Sequence, residues 1–178
     1  MSSVELESDE ALGSLWTQTF KSPRILPVKL SANEYRLAAM ERIRAAQHLF
    51  SADMYTECVY FVGVATECML RAYRALSDPE FDSRHDLLEL LRASNLENFV
   101  PQKRRAEVAA ALGEVWVRWK NDYRYAPTGR LSQALRKSGL FDGVRGNQLK
   151  ANARTALDNG LELVGIGDAR WAKSSSKN

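Results

Sequence analysis

The run CVYFVGVATECMLRAYRAL, residues 58–76, carries one carboxylate, Glu67, with Arg71 four positions later. On a helix that spacing puts both side chains on one face, in the favourable order for an ion pair. If buried, Glu67 needs a cationic or hydrogen-bonding partner, because an unpaired carboxylate in an apolar interior is costly. Arg71 can serve, and so can Arg124 arriving from another segment. The chain has two histidines, His48 and His85. Histidine is the side chain whose ordinary pKa suits acid–base work near neutrality. An arginine beside it can stabilise charge on a phosphate. Arg42 and His48 satisfy that pairing on paper but also fit a polar helix face. His85, next to Arg84 at the start of a short helix, also fits capping or packing.

A second group of chemically competent residues is Arg118, Lys120, Arg124, Tyr125 and Arg130, with Trp116, Trp119 and Tyr123 interleaved. Basic and aromatic residues gathered at one helix terminus can hold phosphates and stack on bases, as single-stranded nucleic-acid sites do. The competing readings are that Trp119 packs in the core and that Arg124 is internal to the fold. The charge distribution bears on this group. Residues 1–100 carry 10 Lys/Arg against 15 Asp/Glu, whereas residues 101–150 carry 11 against 4, so the overall +3 conceals a basic segment. Such a segment suits an acidic or phosphate-bearing partner, or a solvated helix face.

Cys58 and Cys68 fall on one predicted helix, about 15 Å apart along its axis, beyond disulfide reach. They read as small buried hydrophobes. No Cys or His pair has zinc-ligand spacing, and neither a metal nor a cofactor is expected.

These residues need a scaffold. At 178 residues, 45% hydrophobic and 26% charged, the chain is long enough for one domain with a sizeable core. No apolar run reaches bilayer-spanning length, and MSSVELESDEALG has no apolar stretch of a secretory signal. A cytoplasmic protein without membrane contact is expected. Residues 1–30 read as an N-terminal arm, in which Leu12, Leu15, Trp16 and Phe20 can make a short amphipathic turn before Pro23 and Pro27.

Ser31-Ala-Asn-Glu34 has capping-box spacing and opens the first long helix, with Ala39, Met40, Ile43, Ala46 and Phe50 on its inner stripe. Asp53 can cap a second helix over residues 54–76, which is apolar nearly all round and therefore central. The connection is so short that the two must run antiparallel. Ser83 caps a short helix carrying Leu87, Leu88, Leu90 and Leu91. Pro101 suits the first turn of a third long helix with Val108, Leu112, Val115 and Trp119 inward and Trp116 beside them. Pro127 implies a turn after Tyr125. A short amphipathic piece (Leu131, Ala134, Leu135) and a glycine-marked connector (139, 143, 146) follow. The last helix starts near Asn147, turns Leu149, Ala153, Ala156, Leu157 and Leu161 inward, and ends at Gly165 or Gly167. The predicted fold is all-α, an antiparallel four-helix bundle with additional short helices over residues 31–167, followed by a flexible tail at 168–178.

In segment order and in three local patterns the chain resembles the HEPN superfamily of helical bundles. These patterns are Tyr60 through Ala65 with Glu67, Leu70, Arg71 and Ala72; His85, Asp86, Leu87 and Leu90; and Arg124, Tyr125 and Pro127. The likeness covers roughly residues 32–165. It implies one of two roles. Many members are metal-independent ribonucleases, toxins or defence proteins that act as dimers through an Arg-x4–6-His motif in a late helix. Others lack that motif and accompany a nucleotidyltransferase or act as binding modules. Here no histidine follows His85, so the late helices cannot supply it, and Arg42 with His48 lies on the first helix. The resemblance therefore implies a non-catalytic homodimeric module for a protein partner, such as a nucleotidyltransferase or defence component, and/or for RNA or a nucleotide. The alternative is an endoribonuclease toxin with an atypical Arg/His site around His85 or His48.

Overall fold

In the computed structural model, which describes residues 30–78, 80, 85–94, 96 and 100–175 (side chains through 171), Ser31 opens helix α1, Ala32–Ser51. The capping box is reciprocal: the Glu34 amide donates to Ser31 Oγ at 3.3 Å, and the Ser31 amide donates to Glu34 Oε2 at 2.7 Å. Two of the otherwise unmatched amide donors of the first turn are thereby satisfied. Ala39, Ile43, Ala46 and Phe50 form the buried stripe; Met40 lies at its edge.

The chain reverses at Asp53, whose φ of 59° is the left-handed conformation that aspartate tolerates. Helix α2, Tyr55–Ala75, then returns along α1. Asp53 does not cap it as expected: the cap position is Met54, with no side-chain hydrogen bond, and the Asp53 carboxylate instead accepts from the Tyr55 hydroxyl. Because Asp53 makes the turn itself, it stands one residue too early to reach the free amides.

Thirteen of the residues of α2 are buried, from Tyr55 to Tyr73, and they lie on nearly every face. The helix touches α1, the short helix α3 (Leu87–Ser94), helix α4 (Gln102–Arg118), the 3₁₀ turn Asn121–Tyr125 and the last helix α6 (Gln148–Ser175). Small residues set those approaches. A Cβ at Gly63 would overlap the Trp119 indole, and one at Gly160 would lie 2.6 Å from Val62 Cγ1. Gly167 packs on Met69, and its carbonyl accepts the Tyr73 hydroxyl at 2.7 Å.

Asp86 caps α3 by accepting from the Leu88 and Glu89 amides at 2.9 and 3.0 Å; Leu87 and Leu90 pin the helix to the core. Pro101 occupies the cap position of α4 and not its first turn; Val108, Leu112, Val115 and Trp119 are buried while Trp116 is turned outward. Helix α5, Thr128–Lys137, packs through Leu131 and Leu135. Gly139, Gly143 and Gly146 all take φ near 72–75° in the connector, a conformation that favours glycine. Helix α6 continues well past Gly165 and Gly167, so residues 168–175 are helical where a flexible tail was predicted. Arg36 of α1 holds Asp168 at 2.5 Å, and Arg104 of α4 holds Glu162 at 2.9 Å, tying α6 to both neighbours.

The protein is therefore all-helical, with six α-helices, one 3₁₀ turn and no strand among the described residues. Among them no helix is long and apolar enough to cross a membrane. The expected roles of the N-terminal arm, of the Ser83 cap and of Arg84 lie outside the described residues.

Candidate functional site

Glu67 sits two-thirds of the way along α2 and is only 6% exposed. Its carboxylate has two partners. Arg71 Nε, one turn on, donates to Oε1 at 2.7 Å. His85 Nδ1, delivered by the segment before α3, lies 2.8 Å from Oε1 and 2.9 Å from Oε2. A carboxylate only accepts, so Nδ1 is the protonated ring nitrogen and donates to it. This fixes the tautomer and the plane of the ring and leaves Nε2 on the far side, on a side chain that is 44% exposed.

His85 has a φ of 72°. For a residue with a full side chain this left-handed backbone costs of order 1–3 kcal/mol and persists where neighbours over-determine it. Here the Asp86 cap and buried Leu87 fix one side, and Glu67 fixes the ring.

The pair opens into a cleft of about 520 Å³ lined also by Tyr35, Tyr60, Asn121 and Arg124. Two arginines face one carboxylate there, so the cleft is cationic even with His85 neutral. That balance suits an anion, and the arginine fork suits a phosphate in particular. Cys68 is in the wall as well. Burial first, and then the Glu67 charge, push its thiol up to about 11 against the opposing pull of Arg42 and Arg71. It is a neutral wall group and no nucleophile.

The 3₁₀ turn distributes its side chains over two hollows. In such a turn residues three apart eclipse. Asn121 and Arg124 accordingly line the His85 cleft, while Asp122 and Tyr125 line a second hollow of about 650 Å³ against α5. Lys120, Tyr123, Arg130 and Lys137 complete the cationic and aromatic part of the second hollow. Arg124 lies over the Tyr125 ring at 4.6 Å, and Lys120 over the Trp116 ring at 4.8 Å.

The predicted site residues thus divide. Glu67, Arg71, His85 and Arg124 converge in one cleft; Lys120, Tyr125 and Arg130 face the other. Arg118 joins neither and is corrected to a structural role. It is 8% exposed, donates from Nε to Asn152 Oδ1 at 3.0 Å and pairs with Glu114 at 2.6 Å. Its helix position turns it inward beside α6. Arg42 pairs with neighbouring Glu41 at 3.4 Å, and exposed His48 stays in the last turn of α1, so that pairing assembles no site. Sequence reasoning missed Tyr35, Asn121, Gln133 and Lys137. The three-residue spacing of Asn121 and Arg124 was the available signal. Among the described residues no three His, Cys, Asp or Glu side chains gather where an ion could be held.

Comparison with protein-family models, curated proteins and solved structures finds no match to this chain.

Proposed function

We propose that this chain is an HEPN-like module, built on four long helices, that binds a phosphate group of RNA or of a nucleotide in the Glu67–His85 cleft. The carrying observation is the seating of His85 Nδ1 on both oxygens of a buried carboxylate, with Arg71 and Arg124 in the same cleft. Two guanidiniums, joined by Nε2–H of the imidazolium when His85 is protonated, form a preorganised set of donors for phosphate oxygens. The resemblance in the three motifs agrees with this reading, because Glu67, Arg71, His85 and Arg124 all belong to those motifs. It adds a homodimer and a protein partner such as a nucleotidyltransferase or a defence component. Fluorescence anisotropy with labelled RNA at low salt tests the binding. His85→Ala and Arg124→Ala should each weaken it about tenfold or more, in line with the worth of charge-assisted contacts. Unchanged affinity in both variants contradicts the reading.

Cleavage is the second reading, and the Glu67–His85 contact is what favours it. A carboxylate on Nδ1 is the arrangement that makes Nε2 a positioned proton acceptor. Nε2 would take the proton of a ribose 2′-hydroxyl as its oxygen bonds to phosphorus. The P–O5′ bond then breaks, giving a 2′,3′-cyclic phosphate, and the 5′-oxygen takes up a proton from water. Arg124 would stabilise the charge on the phosphorane oxygens. Total RNA incubated with EDTA and wild-type protein or His85→Ala distinguishes the two: cleavage lost in the variant supports this second reading, and intact RNA with retained binding supports the first.

A further inference from the structure

The His85 cleft and the hollow under α5 each share walls with a third, smaller hollow. It has a volume of about 210 Å³ and is walled by Thr56, Glu57, Tyr60, Phe61, Tyr123, Arg124 and Ala126. Tyr60 and Arg124 belong also to the His85 cleft. Tyr123 and Ala126 belong also to the hollow under α5. The three therefore run side by side along the turn Asn121–Tyr125, with Arg124 and Tyr123 as shared walls.

We propose that a single strand of nucleic acid occupies this path, with a phosphate at His85 and Arg124 and the adjoining nucleotides over Tyr123 and Tyr125. The inference rests on the phosphate-binding reading of the cleft and adds the class of ligand and its course. The chemistry changes along the path in step with a nucleotide chain. At the His85 end the wall carries Arg71, Arg124 and His85 beside the one carboxylate of Glu67. At the α5 end two tyrosines and Pro127 supply apolar surface, and Lys120, Arg130 and Lys137 supply charge against one carboxylate, Asp122. Tyr125 is 77% exposed, its ring backed by the Arg124 guanidinium. Such a ring is an open platform on which a base can stack, and the cation behind it strengthens the contact. Asp122 can accept a base's exocyclic amine. Among the described residues the buried Thr56 hydroxyl, on a residue of the middle hollow, has no hydrogen-bond partner. A duplex cannot follow the path, since its bases are stacked inward and unavailable to the tyrosines. A mononucleotide would fill one hollow and leave the others empty.

The test is binding of an end-labelled single-stranded oligoribonucleotide to the full chain, compared with the same strand annealed to its complement. The variants are Tyr125→Ala, Arg130→Ala and His85→Ala, each checked for helix content by circular dichroism. The strand should bind more tightly than the duplex. Tyr125→Ala should loosen the strand about tenfold, and Arg130→Ala should loosen it while flattening its salt dependence. Should strand and duplex bind alike, or Tyr125→Ala and Arg130→Ala bind as wild type while His85→Ala does not, the path is overturned and the phosphate cleft survives. A His85→Ala protein that binds as tightly as wild type, beside a weakened Tyr125→Ala, overturns both the cleft reading and the continuous path.

Discussion

His85 reaches back to Glu67, 18 positions earlier in the chain, and sets Nδ1 within 2.9 Å of both carboxylate oxygens. Arg71 approaches the same carboxylate from its own helix. Glu67 therefore joins the central helix to the segment that starts α3, and it orients the one histidine in the cleft.

Replacing Glu67 with Gln keeps the volume and removes the charge. Arg71 and His85 lose a charged acceptor, and hydrogen bonds to charged groups contribute about 1.5–3 kcal/mol each before screening. His85 is half open to solvent, so its share is small. A loss of about 1–3 kcal/mol in urea unfolding is expected. A variant as stable as wild type would mean that the carboxylate is solvated and unpaired.

The left-handed backbone at His85 makes its own prediction. His85→Ala loses the Glu67 contact and keeps a Cβ at a φ of 72°; His85→Gly loses the same contact and relieves the strain. The glycine protein should be the more stable of the two by about 1 kcal/mol, after its greater unfolded-state entropy is counted. Equal midpoints, or a more stable alanine protein, would contradict a strained backbone there.

How far the residues announced this arrangement differs from one to the next. The stripes Ala39, Ile43, Ala46, Phe50 and Val108, Leu112, Val115, Trp119 were legible because burial follows helical spacing, and the structure buries all eight. The Glu67–Arg71 pair was legible for the same reason. The Glu67–His85 contact was not, because it depends on a connection whose path no periodicity encodes. Arg118 misled because a cation at a helix end reads as solvent-facing, whereas here Asn152 of another helix supplies its partner. Gly165 and Gly167 read as a helix stop. Glycine in a helix costs about 1 kcal/mol, and at 167 close packing on Met69 and the Tyr73 hydroxyl bond offset that cost.

Gly63 is a purely steric prediction. A methyl there would overlap the Trp119 indole, which is itself 3% exposed and has no open side to move toward. Overpacking of this kind costs about 1–3 kcal/mol. Gly63→Ala should lower the free energy of unfolding in urea by that amount and shift tryptophan fluorescence. An unchanged midpoint would show that the two helices stand further apart.

The cysteines give a pH dependence of defined sign. Burial pushes the Cys58 thiol up to about 12 from an ordinary value of 9.0, with Arg154 opposing. Burial, then the charge of Glu67, pushes Cys68 up to about 11. In the unfolded chain both ionise near pH 9. A group whose folded-state pKa is raised stabilises the fold fully below the unfolded value and loses that contribution as pH rises through the folded one. Stability should thus be flat with respect to these thiols below pH 9 and fall between pH 9 and about 11–12. The measurement is the urea midpoint against pH for wild type and for the Cys58→Ala, Cys68→Ala double variant. Alanine removes the two ionisations, so the decline above pH 9 should be shallower in the variant, even though its stability at pH 7 is lower through the lost packing. Below pH 9 both thiols stay neutral in the native protein and should resist iodoacetamide until denaturant is added. A parallel decline in the two proteins, or rapid native labelling at pH 7.5, would mean that Cys58 is not buried on α2 and that half-buried Cys68 is more open than its place in the cleft wall implies.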